Sequence, residues 1–203
     1  MATQKTQKKK FFEVRVPLTA SKVFLYGSTI EQFNNNVIKI DLTKNLKGKS
    51  LELRAKISLE NNELVGEPIS LELIPSYIRR MMRKGSDYVE DSFILTCKDA
   101  TLRVKPFMLT RKKVSRAVRN ELRNTARKTL ESFMTIRNAN EIMSEIMTNK
   151  IQKELFIKLK KIYPLSLCEI RIVEIISRQT AAEMEVQSEE RKARKKKVAE
   201  ASE

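Results

Sequence analysis

Between Thr110 and Leu130 the chain reads TRKKVSRAVRNELRNTARKTL. Eight of these residues are cations (Arg111, Lys112, Lys113, Arg116, Arg119, Arg123, Arg127 and Lys128) and one, Glu121, is acidic. The stretch lacks Gly and Pro and is rich in good helix formers, so it reads as a helix beginning near Thr110. At about 100° per residue from Lys112, the four residues Arg116, Arg119, Arg123 and Arg127 fall within roughly 80° of one another. Val114, Ala117, Val118 and Leu122 take the other side, towards the core. A solvated face would interleave Glu with Lys, because like charges four apart on a helix repel. The chemistry open to a stripe of this kind is anion binding, and phosphates fit it.

Other cations follow the same logic. PSYIRRMMRKG reads as a short helix capped by Ser76 and stopped by Gly85. Ile78, Met81 and Met82 lie on one side of it, and Arg79, Arg80, Arg83 and Lys84 on the other. Lys8, Lys9 and Lys10 end a basic arm over 1–10, and Arg191, Lys192, Arg194, Lys195, Lys196 and Lys197 stand in a charged tail over 177–203. Arg103, Arg111 and Lys113 complete the candidate set. The formal net charge is +16, and such an excess attracts polyanions over a distance. No apolar run reaches the roughly 18–20 residues of a membrane span, and the first ten residues hold no secretory h-region, so no membrane partner is expected.

Much chemistry is absent. There is no histidine, which removes His-based triads and the commonest general base. Four glycines form no phosphate-cradling loop. The two cysteines, Cys97 and Cys168, stand apart in apolar surroundings; they read as reduced buried thiols, with a disulfide as the alternative. Asp41, Asp87, Asp91 and Asp99 are scattered, as turn and cap residues are. No catalytic residue, metal or cofactor is assigned.

The elements that must position the cations run strands first, then helices. FFEVRVP, VIKID, SLELRAKISLE and ELVGEPISLELI alternate with period two, with a turn at Asn61-Asn62 and an edge or bulge at Pro68. SFILTCKD and TLRVKPFML make a hairpin turning near Lys98-Asp99-Ala100. Beyond the basic helix, Asn138–Asn140 breaks the chain. Ile142, Met143, Ile146 and Met147, then Ile151, Leu155, Leu159 and Ile162, form core-facing stripes, and Pro164 ends the second. SLCEIRIVEII is one last strand. The fold class is α+β: a barrel-like, mostly antiparallel sheet and a helical C-terminal half in one domain over 11–176. The tail is either a solubilising segment or one that turns helical on RNA or a neighbour.

Particular residues carry a resemblance. Ser76-Tyr77-Ile78-Arg79-Arg80, Arg83-Lys84-Gly85, Lys98-Asp99, Leu102-Arg103-Val104, Thr110-Arg111, Ile162-Tyr163-Pro164-Leu165 and Glu169-Ile170-Arg171 resemble, in order and spacing from about Lys9 to Val173, the S-three-A-e (e-S-one) family of small-subunit ribosomal proteins. The resemblance implies a structural protein of the cytoplasmic ribosome, on the small-subunit platform near the mRNA exit. Its implied partners are small-subunit rRNA and neighbouring platform proteins, with mRNA nearby. Phe11-Phe12 stand where the family has Trp, and Ala100 where it has a hairpin glycine. The long N-terminal extension of eukaryotic members is missing, which points to an archaeal source. Two other classes share the charge: a DNA-binding or compacting protein, and an RNA-processing enzyme using carboxylates and Mg²⁺. The few aromatics weigh against base stacking as the main mode of binding.

Overall fold

A computed structural model describes residues 8–46, 48–60 and 63–178. The turn expected at Asn61-Asn62, the start of the basic arm, and the tail from residue 179 with its six cations lie outside the described residues. The chain falls into two compact units: one up to Lys84 together with Arg171–Val173, the other from Gly85 to Ile170 and again from Glu174.

In the first unit, β1 (Lys10–Val16) and β2 (Ser21–Gly27) form an antiparallel hairpin. β1 runs parallel to β5 (Glu63–Leu73) at Val14 and Arg15. β5 pairs antiparallel with β4 (Leu51–Glu60), and β4 with β3 (Val37–Asp41). Alternation buries Leu51, Leu53, Ala55 and Ile57 on one face of β4. Opposite Arg54 and Ala55 the register steps from Ser70 to Pro68, so the irregularity expected at Pro68 is a bulge. The pairing runs β2-β1-β5-β4-β3, and among the described residues no β2–β3 pair closes it into the expected barrel. A core of Val14, Ile57 and Leu64 is flanked by Phe12, Val23, Leu25 and Phe33. α1 (Pro75–Met81) follows. Its cap is Ile74 with Pro75 in the first turn, rather than Ser76, because proline has no N–H to satisfy there. It stops before Met82, a turn short of Gly85.

In the second unit, β6 (Tyr88–Glu90) and β7 (Phe93–Thr96) pair antiparallel with one side of β8 (Ala100–Thr110), and β9 (Leu165–Arg178) follows β8 on the other. The β7–β8 turn at Lys98-Asp99 closes with Cys97 N–H donating to Ala100 O at 2.9 Å. Ala100 has no positive φ, so the missing glycine is not needed. Asp99 Oδ1 accepts from Ala139 N at 2.7 Å, which fixes the start of α3 (Ala139–Met147). Asn138 and Glu141 form a capping box there, so Asn138 is where the chain breaks and restarts. α2 (Arg116–Met134) and α3 pack on α4 (Lys150–Leu159), with Ile142, Met143, Ile146, Ile151, Leu155 and Leu159 buried. Among the described residues no helix is long and apolar enough to cross a membrane.

Four boundaries differ from the sequence reading. Lys10 belongs to β1 rather than the arm, pairing with Gly27. Ser177 and Arg178 extend β9 rather than open the tail. β2 and β6 were not expected as separate strands. Finally, α2 starts at Arg116, not near Thr110. Thr110 is the buried last residue of β8, and its hydroxyl is taken. Thr110 Oγ1 accepts from Asp87 N at 3.0 Å and lies 2.8 Å from Asp87 O and 2.7 Å from Lys112 O, with one proton to share between them. Asp87 Oδ2 accepts from Val114 N at 3.0 Å. This knot holds the loop from β8 into α2.

Both cysteines are free and buried. Burial pushes the Cys168 thiol up to about 12, with the nearby Glu169 charge adding to the shift. Desolvation also raises Cys97. A thiol held protonated is a poor nucleophile. At pH 8 the folded protein should therefore resist alkylation by iodoacetamide at both positions and take up label at both in denaturant, read by intact mass. A second prediction concerns the knot. Thr110→Val keeps the shape and strands the partners of the hydroxyl, which should lower stability by about 1–3 kcal/mol in urea unfolding.

Candidate nucleic-acid interface

The loop leaving Thr110 presents Arg111, Lys112 and Lys113, all exposed. Ser115 then caps α2, its Oγ accepting from Val118 N at 3.5 Å. The first turn of α2 holds no acidic residue. A helix N-terminus carries partial positive charge and usually recruits Asp or Glu. Here Arg116 and Arg119 occupy the turn instead, so the dipole and the side chains add their fields.

The placement of the stripe corrects the wheel drawn from sequence. The buried residues of α2 are Leu122, Ala126, Thr129, Leu130 and Met134. Ala117 is exposed, and Val114 and Val118 are half-buried. Arg119, Arg123 and Arg127 each precede a buried residue (Leu122, Ala126, Leu130) by three positions, so the arginine row borders the buried row rather than opposing it. Arg119 and Arg123 are accordingly half-buried, and Arg116 and Arg127 exposed. The Arg119 Nε is shut off from solvent and has no hydrogen-bond partner. Arg123 Nη1 reaches Asn120 Oδ1 at 3.4 Å, and the Arg127 guanidinium lies 5.2 Å from the Phe93 ring centre. Among the described residues, none of the eight cations from Arg111 to Lys128 forms a salt bridge. Lys128, which the sequence reading left out of the candidate set, belongs to this group and is exposed.

The other candidates fare unequally. Arg103 Nη1 is bound to Glu174 Oε2 at 3.1 Å, so its charge is already matched inside the protein. In the first unit, Arg79, Arg80, Arg83 and Lys84 are exposed on and just after α1. Arg80 lies 5.8 Å from the Tyr77 ring centre and 3.5 Å from Ser50 Oγ, which steadies it near the helix. Lys8, Lys9 and Lys10 are exposed, with Lys9 Nζ 5.8 Å from the Tyr26 ring centre. Arg191, Lys192, Arg194, Lys195, Lys196 and Lys197 lie outside the described residues.

An array of unmatched, partly preorganised guanidinium groups at a helix N-terminus can hold several phosphates at once.

Comparison with known proteins gives this array its setting. A profile of the Ribosomal S3Ae family matches residues 1–179. Small ribosomal subunit protein eS1 of Saccharolobus islandicus is 27% identical over 181 residues, covering 85% of this chain and 86% of that protein. The protein of the same name from Saccharolobus solfataricus matches to the same extent. That from Methanothermobacter thermautotrophicus is 27% identical over 132 residues, covering 64% of this chain and 68% of its own. The match spans both units, and on that ground the chain belongs to the Ribosomal S3Ae family of small-subunit ribosomal proteins, structural components of the cytoplasmic ribosome rather than enzymes.

Proposed function

We propose that this protein is a structural constituent of the small ribosomal subunit that binds small-subunit rRNA at the platform, near the mRNA exit, beside other platform proteins. The family supports the ribosomal setting and association with rRNA. The observation that carries the binding mode is the run of cations from Arg111 to Lys128 that finds no internal acid among the described residues. Arg111, Lys112 and Lys113 reach phosphates from the loop, and Arg116, Arg119, Arg123 and Arg127 from the helix. Arg79, Arg80, Arg83 and Lys84 serve a second stretch of backbone, and the arm and tail add charge. Contacts of this type set position and orientation on folded RNA and read shape rather than linear sequence. Arg103, paired with Glu174, contributes least.

Charge alone would serve a DNA-compacting protein as well. The two readings part on preference: a protein fitted to one RNA site should favour its structured rRNA over B-form DNA of equal length at moderate salt, whereas a compacting protein should not.

The decisive variant is Arg116→Gln/Arg119→Gln/Arg123→Gln. Gln keeps helix propensity, and Leu122, Ala126 and Leu130 stay in place. Relieving repulsion and the unpartnered Arg119 nitrogen should leave thermal stability equal or slightly higher. Affinity for small-subunit rRNA should fall by about 1 kcal/mol or more per lost phosphate contact, in line with hydrogen bonds to charged groups. The log–log salt slope should fall by about 0.7–0.9 for each. A variant that unfolds would show the arginines to be structural, and unchanged binding with unchanged slope would remove them from the interface.

A further inference from the structure

We propose that the outer face of the β1–β2 hairpin is a stacking platform for the bases of single-stranded RNA, built from Phe11, Phe24 and Tyr26. It is separate from the phosphate-binding array of the second unit and stands on different observations.

The register pairs Phe11 with Tyr26, Glu13 with Phe24 and Arg15 with Lys22. Period-two alternation puts these six side chains on one face. Phe12, Val14, Val23 and Leu25 point the other way, into the packed side. Phe11, Phe24 and Tyr26 are 72%, 62% and 59% exposed, and the Phe11 and Tyr26 rings sit 5.0 Å apart, tilted by 46°. Single exposed aromatics are ordinary, but three together mark a surface that something covers. Phe24 and Tyr26 also lie on β2, which ends the order of pairing, where an open apolar strand invites unwanted pairing unless it is occupied.

Charge selects the occupant. Glu13 is the one acid on these two strands. It is matched by Lys22 at 2.9 Å and Arg15 at 3.7 Å, and the Lys22 hydrogen bond holds its carboxyl below the usual range. Arg15 also reaches Glu63 at 3.4 Å. Those charges answer one another. Lys9 remains, set over the Tyr26 ring with no ion pair among the described residues, whereas Lys8 and Lys10 lie on the Phe12 side of the hairpin. The face thus carries Lys9, Arg15 and Lys22 against Glu13 alone, and flat apolar rings beside a net positive charge suit a base next to its own phosphate. An apolar segment of a neighbouring protein would use the rings and leave that positive balance unanswered.

The test compares the full-length protein with Phe11→Ala/Phe24→Ala/Tyr26→Ala, using a short labelled single-stranded RNA and an RNA duplex. Single-strand affinity should drop by about tenfold or more, the scale of lost base–aromatic stacking. Duplex affinity should hold, and the salt slope for the single strand should not change, because no phosphate contact is removed. Ultraviolet cross-linking should attach the single strand within residues 10–27. Should the triple variant fail to fold, Phe11→Ala and Phe11→Trp carry the comparison, the first weakening single-strand binding and the second retaining it. Equal single-strand affinity of parent and folded variant, or cross-links only elsewhere, would overturn the proposal and leave the face to a protein neighbour. Either result is separable from failure of the α2 array, whose loss lowers the salt slope.

Discussion

Two guanidinium groups four residues apart on a helix repel, and a chain that repeats the arrangement from Arg119 to Arg123 to Arg127 must offset the repulsion elsewhere. Each such pair costs about 0.2–0.5 kcal/mol. The offset lies in the same helix. Leu122, Leu130 and Met134 are fully buried, and each such side chain contributes about 1.5–3 kcal/mol. Burial therefore wins comfortably, and the cations can remain close together without internal counter-charge. The unmet positive field is a property the fold maintains, and the binding proposal follows from it.

α2 thus divides along its length. Its C-terminal half is anchor, with Leu130 and Met134 sunk against the neighbouring elements. Its N-terminal half, with the loop before it, is presentation. The Thr110–Asp87 knot fixes where that loop leaves the sheet, and the Asp87 bond to Val114 N carries the constraint to the helix start. Because Arg119 and Arg123 border the buried row, both side chains are partly held against the protein. A half-held guanidinium loses less freedom on meeting a phosphate than one on a fully solvated face, so this geometry favours binding.

Much of this was legible in the sequence, and the exceptions have physical causes. Period-two alternation marked β4 and β5, and period 3.6 marked the buried residues of α3 and α4, because burial on one face leaves a direct trace in residue type. Thr110 misled because Thr suits a helix cap as well as a buried strand end, and only the presence of Asp87 opposite decides between them. The wheel placed the arginines opposite the core because it took the core side from Val114, Ala117, Val118 and Leu122, whereas Ala126, Leu130 and Met134 set the true buried direction. Arg103 could not be separated from the free cations, since its partner Glu174 is 71 residues away. β2 was missed for a related reason. In SKVFLYG, Phe24 and Tyr26 stand at exposed positions, so no polar side alternates with an apolar one, and the aromatic cluster exists only once the register with β1 is known.

The most direct measurement is a cryo-electron-microscopy structure of the assembled small subunit containing this chain, read at the guanidinium groups of Arg116, Arg119 and Arg123. The account predicts rRNA phosphate oxygens within about 4 Å of at least two of the three, the distance of an ion pair. Finding those groups in open solvent, or matched by carboxylates of a neighbouring protein, would contradict it.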